Sequence, residues 1–284
     1  MSDNLTKRFL FASDFDRTLS FNDSGYVLSE MLGIPVEEFE RKAKGMARLN
    51  LVQQGAELAY LLLHDPQFRG VRREQLHEVG KRIRLKENID LLYQLLSSGI
   101  KGYHFDFYVL SAAPVEIVQS ALAGIVPADH IFGTDFKYSA TGEIETIIRA
   151  TAGYGKVERL THLQKELQIG PDHVIYTGDG SSDVHAMLHV NGDEGMTIAV
   201  SETRYVSQIA KRTVVSTNAL ATLVPILEEV VRWNQAQIRE FFESKGFLVQ
   251  EWARVRTDWL TLRQAQARPS SVNDTLTARS GHHA

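Results

Sequence analysis

The chain has 284 residues, more than one typical domain and fewer than two full-sized ones, so a core domain carrying an inserted or appended module is the natural organisation. With 43% hydrophobic residues it can build a substantial core, and a formal net charge of -4 gives no broad basic field for wrapping nucleic acid. The absence of cysteine excludes disulfides, thiolate metal sites and thiol catalysis, leaving oxygen and imidazole as metal ligands.

The N-terminal apolar run is short and ends in two aspartates, unlike the hydrophobic region and cleavage site of a signal peptide. No apolar stretch approaches the roughly 20 residues of a membrane span. A soluble cytoplasmic protein that handles small molecules, with neither nucleic acid nor membrane as partner, is expected.

Phe9 to Ala12 read as a buried strand that delivers Asp14 at its C-terminal tip, the edge where ligands collect in open α/β sheets. From about Ser24 to Ser98 the apolar spacing is helical: Val27, Leu28 and Met31, then Leu58, Leu61 and Leu62, then Ile89, Leu92 and Leu96. Phe105 to Leu110 form a second strand, and Pro114 is placed to open the next helix. A third strand starts at Ile131, Tyr138 to Ile148 form a hairpin turning at Thr141-Gly142, and Val157 to Leu167 line a helix face. Val174 to Tyr176, Thr197 to Val200 and Thr213 to Val215 supply further strands, with a helix through Val184 to Val190. This alternation predicts an α/β fold with a mainly parallel sheet and helices on both faces.

Residues 221–265 read as C-terminal helices, with Leu223, Ile226, Leu227, Ile238 and Phe242 on one stripe and Trp252, Val255, Trp259 and Leu262 following. Such a stripe packs against the body of the protein or forms a homodimer contact. Residues 266–284 are polar and aperiodic, a flexible tail in which His282 and His283 are solvated.

Asp14 and Asp16 form an i, i+2 pair at a strand tip, where one carboxylate can attack while the other handles protons. Taken alone, the pair could be an Asx turn leaving a strand. Ser111 ends the second strand, where a hydroxyl and backbone N–H groups can bind a phosphate oxygen, although a helix-capping serine would look the same. Lys156 presents a cation at a helix start, and most such lysines are solvated. Gly178-Asp179-Gly180-Ser181-Ser182-Asp183 adds two carboxylates on a glycine turn, hard oxygen ligands suited to Mg2+.

Together Asp14-Phe15-Asp16-Arg17-Thr18-Leu19, Val109-Leu110-Ser111, Lys156 and Gly178 to Asp183 resemble the four motifs of the haloacid dehalogenase superfamily, in order, and within it the phosphoserine phosphatase-like branch. The resemblance implies a Mg2+-dependent phosphatase with Asp14 as nucleophile and metal ligand. Asp16 would be general acid and then base, its backbone carbonyl on the metal. Thr18 and Ser111 would be phosphate-binding hydroxyls, Lys156 the charge-neutralising cation, Asp179 a metal ligand, and Asp183 a ligand or its anchor. It also implies a Rossmann-like core over 1–22 and 99–220 with an all-helical cap at 23–98.

Asp16 argues against dehalogenation, since a departing halide needs no proton; a sugar-phosphate phosphomutase of the same superfamily, which needs the same acid, is the alternative enzyme. A catalytically idle scaffold is a third reading. The chain departs from the branch at Ala112, where a glycine is usual, and at Ser182, where asparagine is usual, both on the floor of the substrate pocket. Asp23 stands where the branch has an acid facing a substrate amine, but Gln53-Gln54-Gly55-Ala56-Glu57 contains no arginine to clamp a substrate carboxylate. A small phosphomonoester without a carboxylate, such as an amino-alcohol phosphate, fits better. Arg41, Lys42, Lys44 and Arg48 form either a solvated cap face or a contact to an anionic substrate.

Overall fold

The apolar run after residue 7 forms β1 (Lys7–Ser13), and its alternating side chains divide the core: Phe9 and Phe11 enter one layer, Leu10 and Ala12 the other. The computed structural model describes residues 7–49, 51–254 and 257–264, with side chains described as far as Gln250. The expected tail at 266–284, with His282 and His283, lies outside the described residues, as does Val255.

After β1 the chain runs through helices α1 (Ser24–Met31), α2 (Val36–Arg48), α3 (Glu57–His64), α4 (Arg73–Arg82) and α5 (Ile89–Ser98). Next come β2 (Tyr103–Pro114), α6 (Val115–Ala121), β3 (Ile131–Tyr138) and β4 (Ile144–Arg149). Then follow α7 (Tyr154–Leu167), β5 (Val174–Gly178), α8 (Val184–Gly192), β6 (Met196–Ala199), α9 (Arg204–Ile209) and β7 (Arg212–Val215). The chain continues with α10 (Leu223–Glu229), α11 (Gln235–Ser244), β8 (Phe247–Arg254) and β9 (Thr257–Gln264).

The strands make one nine-stranded sheet in the order β4-β3-β2-β1-β5-β6-β7-β9-β8. All pairings are parallel except the β3/β4 and β8/β9 hairpins. The strand order reverses direction at β1, which lies between β2 and β5, so the crevice at its C-terminal end is the natural ligand site of such a sheet. Register pairs Phe9 with Phe105 and Phe11 with Phe107, whose rings stack 5.1 Å apart. Phe11, Phe105 and Phe107 are fully buried, each contributing about 1.5–3 kcal/mol of apolar burial. Helices α5, α6 and α10 cover the phenylalanine face; α7, α8 and α9 cover the other through Leu160, Met187 and Val206.

The helical stretch between β1 and β2 divides by what it packs on. Helices α1 to α4 pack on one another, whereas α5 lies along β2. Helix α4 also presses against α6: a Cβ added at Gly80 would lie 2.4 Å from the Ile117 carbonyl oxygen, so only glycine permits the approach. The chain enters and leaves this helical unit through two adjacent segments, joined by Phe21 N–H to the Arg84 carbonyl at 2.8 Å and Lys86 N–H to the Leu19 carbonyl at 2.9 Å.

The C-terminal region departs from the all-helical expectation. Ile226, Leu227, Ile238 and Phe242 are helical and buried against the body, but the helix ends before Gly246, which adopts φ +82°, and the chain returns as an antiparallel hairpin. Strand β9 adds in parallel to β7, pairing Thr213 with Thr257 and Val215 with Trp259. The unpaired backbone of the β7 edge overrides the helix-like spacing of Trp252, Trp259 and Leu262. No described helix is long and apolar enough to cross a membrane.

Candidate active site

Asp14 leaves the tip of β1, where its N–H donates to the Thr177 carbonyl of β5 at 2.9 Å and fixes the carboxylate at the junction of the two strands. The next residues fold back tightly because Arg17 takes a left-handed conformation at φ 57°. The turn brings the Thr18 hydroxyl within 3.4 Å of Asp14 Oδ2.

Lys156, in the first turn of α7, is fully buried, and its Nζ donates to Asp14 Oδ1 at 2.6 Å and to Asp183 Oδ1 at 2.7 Å. Asp183 also accepts from the Tyr176 hydroxyl at 2.6 Å through Oδ1, and from the Asp179 and Gly180 N–H groups at 3.1 Å each through Oδ2. Both oxygens of Asp183 are thus occupied by donors, so it ties the lysine to the 179–180 turn. Burial alone would lower the proton affinity of the lysine, but Asp14 and Asp183 reverse this and keep it protonated.

The surrounding carboxyls are under opposite pressure. Burial, reinforced by Asp183 and opposed by Lys156, raises the Asp14 pKa from 3.8 to about 6. Asp179 is pushed up by burial and then by Asp14 and Asp183. Asp16 is pushed up by burial and Asp23, against the hydrogen bonds its Oδ1 accepts from Ser24 N–H at 3.0 Å and Ser24 Oγ at 2.7 Å. Oxygen atoms of Asp14, Asp179 and Asp183 lie within 4.8 Å of one another. One buried lysine does not neutralise this crowd. The Asp179 carboxylate accepts no hydrogen bond from another described residue and lines the cavity beside Asp14, and this all-oxygen donor set suits a hard divalent cation.

Asp14, Asp16, Asp23, Ser111, Ala112, Asp179 and Ser182 all line one cavity of about 350 Å³ between the sheet edge and the helical unit. Ser111 is buried, its Oγ accepting from Ala113 N–H at 3.1 Å, while the Ala112 carbonyl accepts from Thr134 Oγ1 at 2.8 Å. These bonds hold the β2 tip open toward the cavity. Asp23 caps α1 by accepting from Gly25 N–H at 2.9 Å and stands 3.8 Å from the Arg17 guanidinium. Of the basic residues on α2, only Lys44 lines the cavity, paired there with Glu40; Lys42 pairs with Asp65 at 2.7 Å and Arg41 approaches Glu38 at 3.7 Å. A larger cavity of about 550 Å³ opens at the opposite sheet edge, around Lys7, His173 and Arg212, and contains none of these acids.

Several site residues carried no recognisable sequence signal. Tyr176 sits in the apolar run of β5, where period alone cannot show which side its hydroxyl faces. Ser24 reaches Asp16 only because α1 starts at the mouth of the cavity. Tyr26, Glu40 and Glu57 reach the wall by packing of the helical unit.

No match was found among curated proteins. Solved structures share the fold at low identity. A phosphoserine phosphohydrolase-like protein of Francisella tularensis subsp. tularensis SCHU S4 is 21% identical with a TM-score of 0.57, covering 76% of this chain and 99% of its own. A phosphoserine phosphatase in its apo form is 18% identical with a TM-score of 0.59, covering 79% and 100%. A gene product of Archaeoglobus fulgidus is 12% identical with a TM-score of 0.61, covering 83% and 87%. A family match spans residues 11–188, from the strand that delivers Asp14 to the helix that follows Asp183, and so the chain belongs to the haloacid dehalogenase-like hydrolases.

Proposed function

We propose that this protein is a Mg2+-dependent phosphatase that hydrolyses a small phosphomonoester through an aspartyl phosphate on Asp14. The observation that carries the reading is the fully buried Lys156 ammonium held between Asp14 and Asp183, behind a cavity large enough for a small metabolite whose wall is formed in part by Asp14 and Asp179. The phosphoserine phosphatase-like neighbours support the same chemistry.

Asp14 attacks phosphorus in line, and the bond to the leaving oxygen breaks as Asp16 delivers its proton there. A carboxyl whose proton affinity is raised by burial and by Asp23 is suited to carry that proton near neutral pH. Asp16 then takes a proton from the water that attacks the aspartyl phosphate, releasing phosphate and restoring Asp14. Lys156 balances charge on Asp14 and the phosphoryl oxygens; Thr18, Ser111 and the backbone at Ala112 bind those oxygens. Asp14, Asp179 and the Asp16 backbone carbonyl would hold the metal, with Asp183 orienting Lys156. Bound there, Mg2+ would supply positive charge to the phosphoryl oxygens and to the attacking carboxylate.

Helices α1 to α4 act as the cap, with α5 part of the core, and Asp23 and Ser182 border the leaving group. We extend the reading to a cytoplasmic enzyme acting on a small phosphorylated metabolite. The test is Mg2+-dependent phosphate release from p-nitrophenyl phosphate. Wild type is expected to turn over and Asp14→Asn to lose at least about a thousandfold in kcat. Folded wild type that releases no phosphate in magnesium, or an Asp14→Asn variant of equal activity, refutes the proposal.

A further inference from the structure

The leaving-group side of the cavity has an unbalanced charge. Its wall carries three carboxylates, Asp23, Glu40 and Glu57, and two cations, Arg17 and Lys44. Arg17 lies 3.8 Å from Asp23 and 4.9 Å over the Tyr26 ring; Lys44 is 2.5 Å from Glu40, which Tyr26 also reaches with its hydroxyl. Glu57 makes no ion pair among the described residues.

Glu57 is also held in place. Its Oε2 accepts from the Gly55 N–H at 2.8 Å. Gly55, at φ +93°, is pressed onto the core: a Cβ there would lie 2.7 Å from Ser182 Cβ, 3.2 Å from Ala112 Cβ and 3.3 Å from Ala152 Cβ. This is where the helical unit touches the loops that carry Ser111 and Asp179. The segment that positions Glu57 is therefore seated on the loops that border the same cavity as Asp14. Burial and the neighbouring Asp23 both disfavour its negative charge, and no cation among the described residues offsets them. A carboxylate fixed by backbone on the wall of the cavity that Asp14 lines, with both cations of that wall paired to other acids, leaves the balancing charge to the substrate.

Resting on the phosphatase reading, we infer that Glu57 determines specificity by pairing with a cationic group on the leaving alcohol, so that the substrates are aminoalkyl rather than carboxyalkyl phosphates. The alkylammonium stays intact in the reaction; only the phosphorus–oxygen bond breaks. Tyr26 and Phe39, which line the same cavity, give its methylenes an apolar and aromatic wall.

The experiment compares kcat/KM for 2-aminoethyl phosphate, propyl phosphate and phosphoglycolate, nearly isosteric and differing in charge at the far end, with p-nitrophenyl phosphate as the activity reference. Wild type is expected to prefer the aminoethyl ester over the propyl ester by about 10- to 100-fold, and to discriminate further against phosphoglycolate. In Glu57→Gln that ratio falls at least tenfold, and in Glu57→Lys the order of 2-aminoethyl phosphate and phosphoglycolate inverts. A loss of packing alone would slow all substrates together and leave the ratios in place. Wild type that hydrolyses p-nitrophenyl phosphate without preferring the aminoethyl ester overturns this inference and spares the phosphatase reading. Failure to hydrolyse any of the four overturns both.

Discussion

Replacing Lys156 with methionine keeps the length of the side chain and removes one ammonium from a site with two carboxylate contacts at 2.6 and 2.7 Å. At an effective dielectric constant of about 20, each contact is worth roughly 6 kcal/mol of gross attraction. The cost of burying the ammonium cancels much of this, and breaking a buried pair from one side typically leaves a net loss of about 3–5 kcal/mol. With both Asp14 and Asp183 left behind, the upper end of that interval is expected for the metal-free protein at pH 7.5. Urea unfolding in EDTA measures it, provided the denaturant slope is the same for both proteins. The loss should shrink on going to pH 5, where Asp14, with a pKa near 6, is protonated in much of the wild type and the pair is already weakened. A loss below about 1 kcal/mol, or one that does not change between pH 7.5 and 5, would refute the view that the lysine is held there by charge.

Asp14 makes a separate prediction. Its folded-state pKa is raised, so the folded state holds its proton more tightly; that contribution to stability is present below pH 4 and is lost as pH rises through 6. A carboxyl moved from 3.8 to about 6 sets the loss at about 3 kcal/mol in EDTA, read as a falling melting temperature. The upward shift in melting temperature on adding Mg2+ should grow over the same interval, because metal and proton compete for the same oxygens. Tyr176→Phe removes one of four donors to Asp183 and should cost about 2 kcal/mol in urea unfolding; no measurable change would mean the hydroxyl is not bonded there. Gly55→Ala forces a Cβ toward Ser182 at a φ of +93° and should lower kcat/KM about tenfold or more on every substrate, by lifting the loop from the β2 tip. Unchanged kinetics would show that the loop need not close.

The floor of the site was readable in the sequence because its signals are local. An apolar run that stops at a carboxylate marks a strand tip, as at Asp14 and Asp179, whereas Lys156 stood out only through the resemblance of the four motifs together, since most lysines at a helix start are solvated. The cavity walls were not readable. Glu57 and Glu40 reach the site through the packing of α1 to α3, and no spacing along the chain encodes which loop of a helical unit will rest on Ala112 and Ser182. The C-terminal hairpin shows the same limit differently. Trp252, Trp259 and Leu262 fit a helical period, but their conformation follows from the open edge of β7, some forty positions earlier, and such a partner is invisible within any short window. Ser24 illustrates a third case: an ordinary N-terminal residue of a helix becomes the partner of Asp16 because the turn at Arg17 points the acid toward it.

The two crossing segments, bonded from Phe21 to Arg84 and from Lys86 to Leu19, make everything between them a single excursion whose ends are already clasped. From the standpoint of the sheet, residues 22–83 are one closed loop, and the entropy of closing a loop grows only with the logarithm of its length. An excursion fastened at its neck can be lengthened, shortened or exchanged for another without shifting the register of β1 against β2. On the proposed reading, selectivity for the alcohol and the machinery for cleaving its ester would therefore sit on parts of the chain that can change independently.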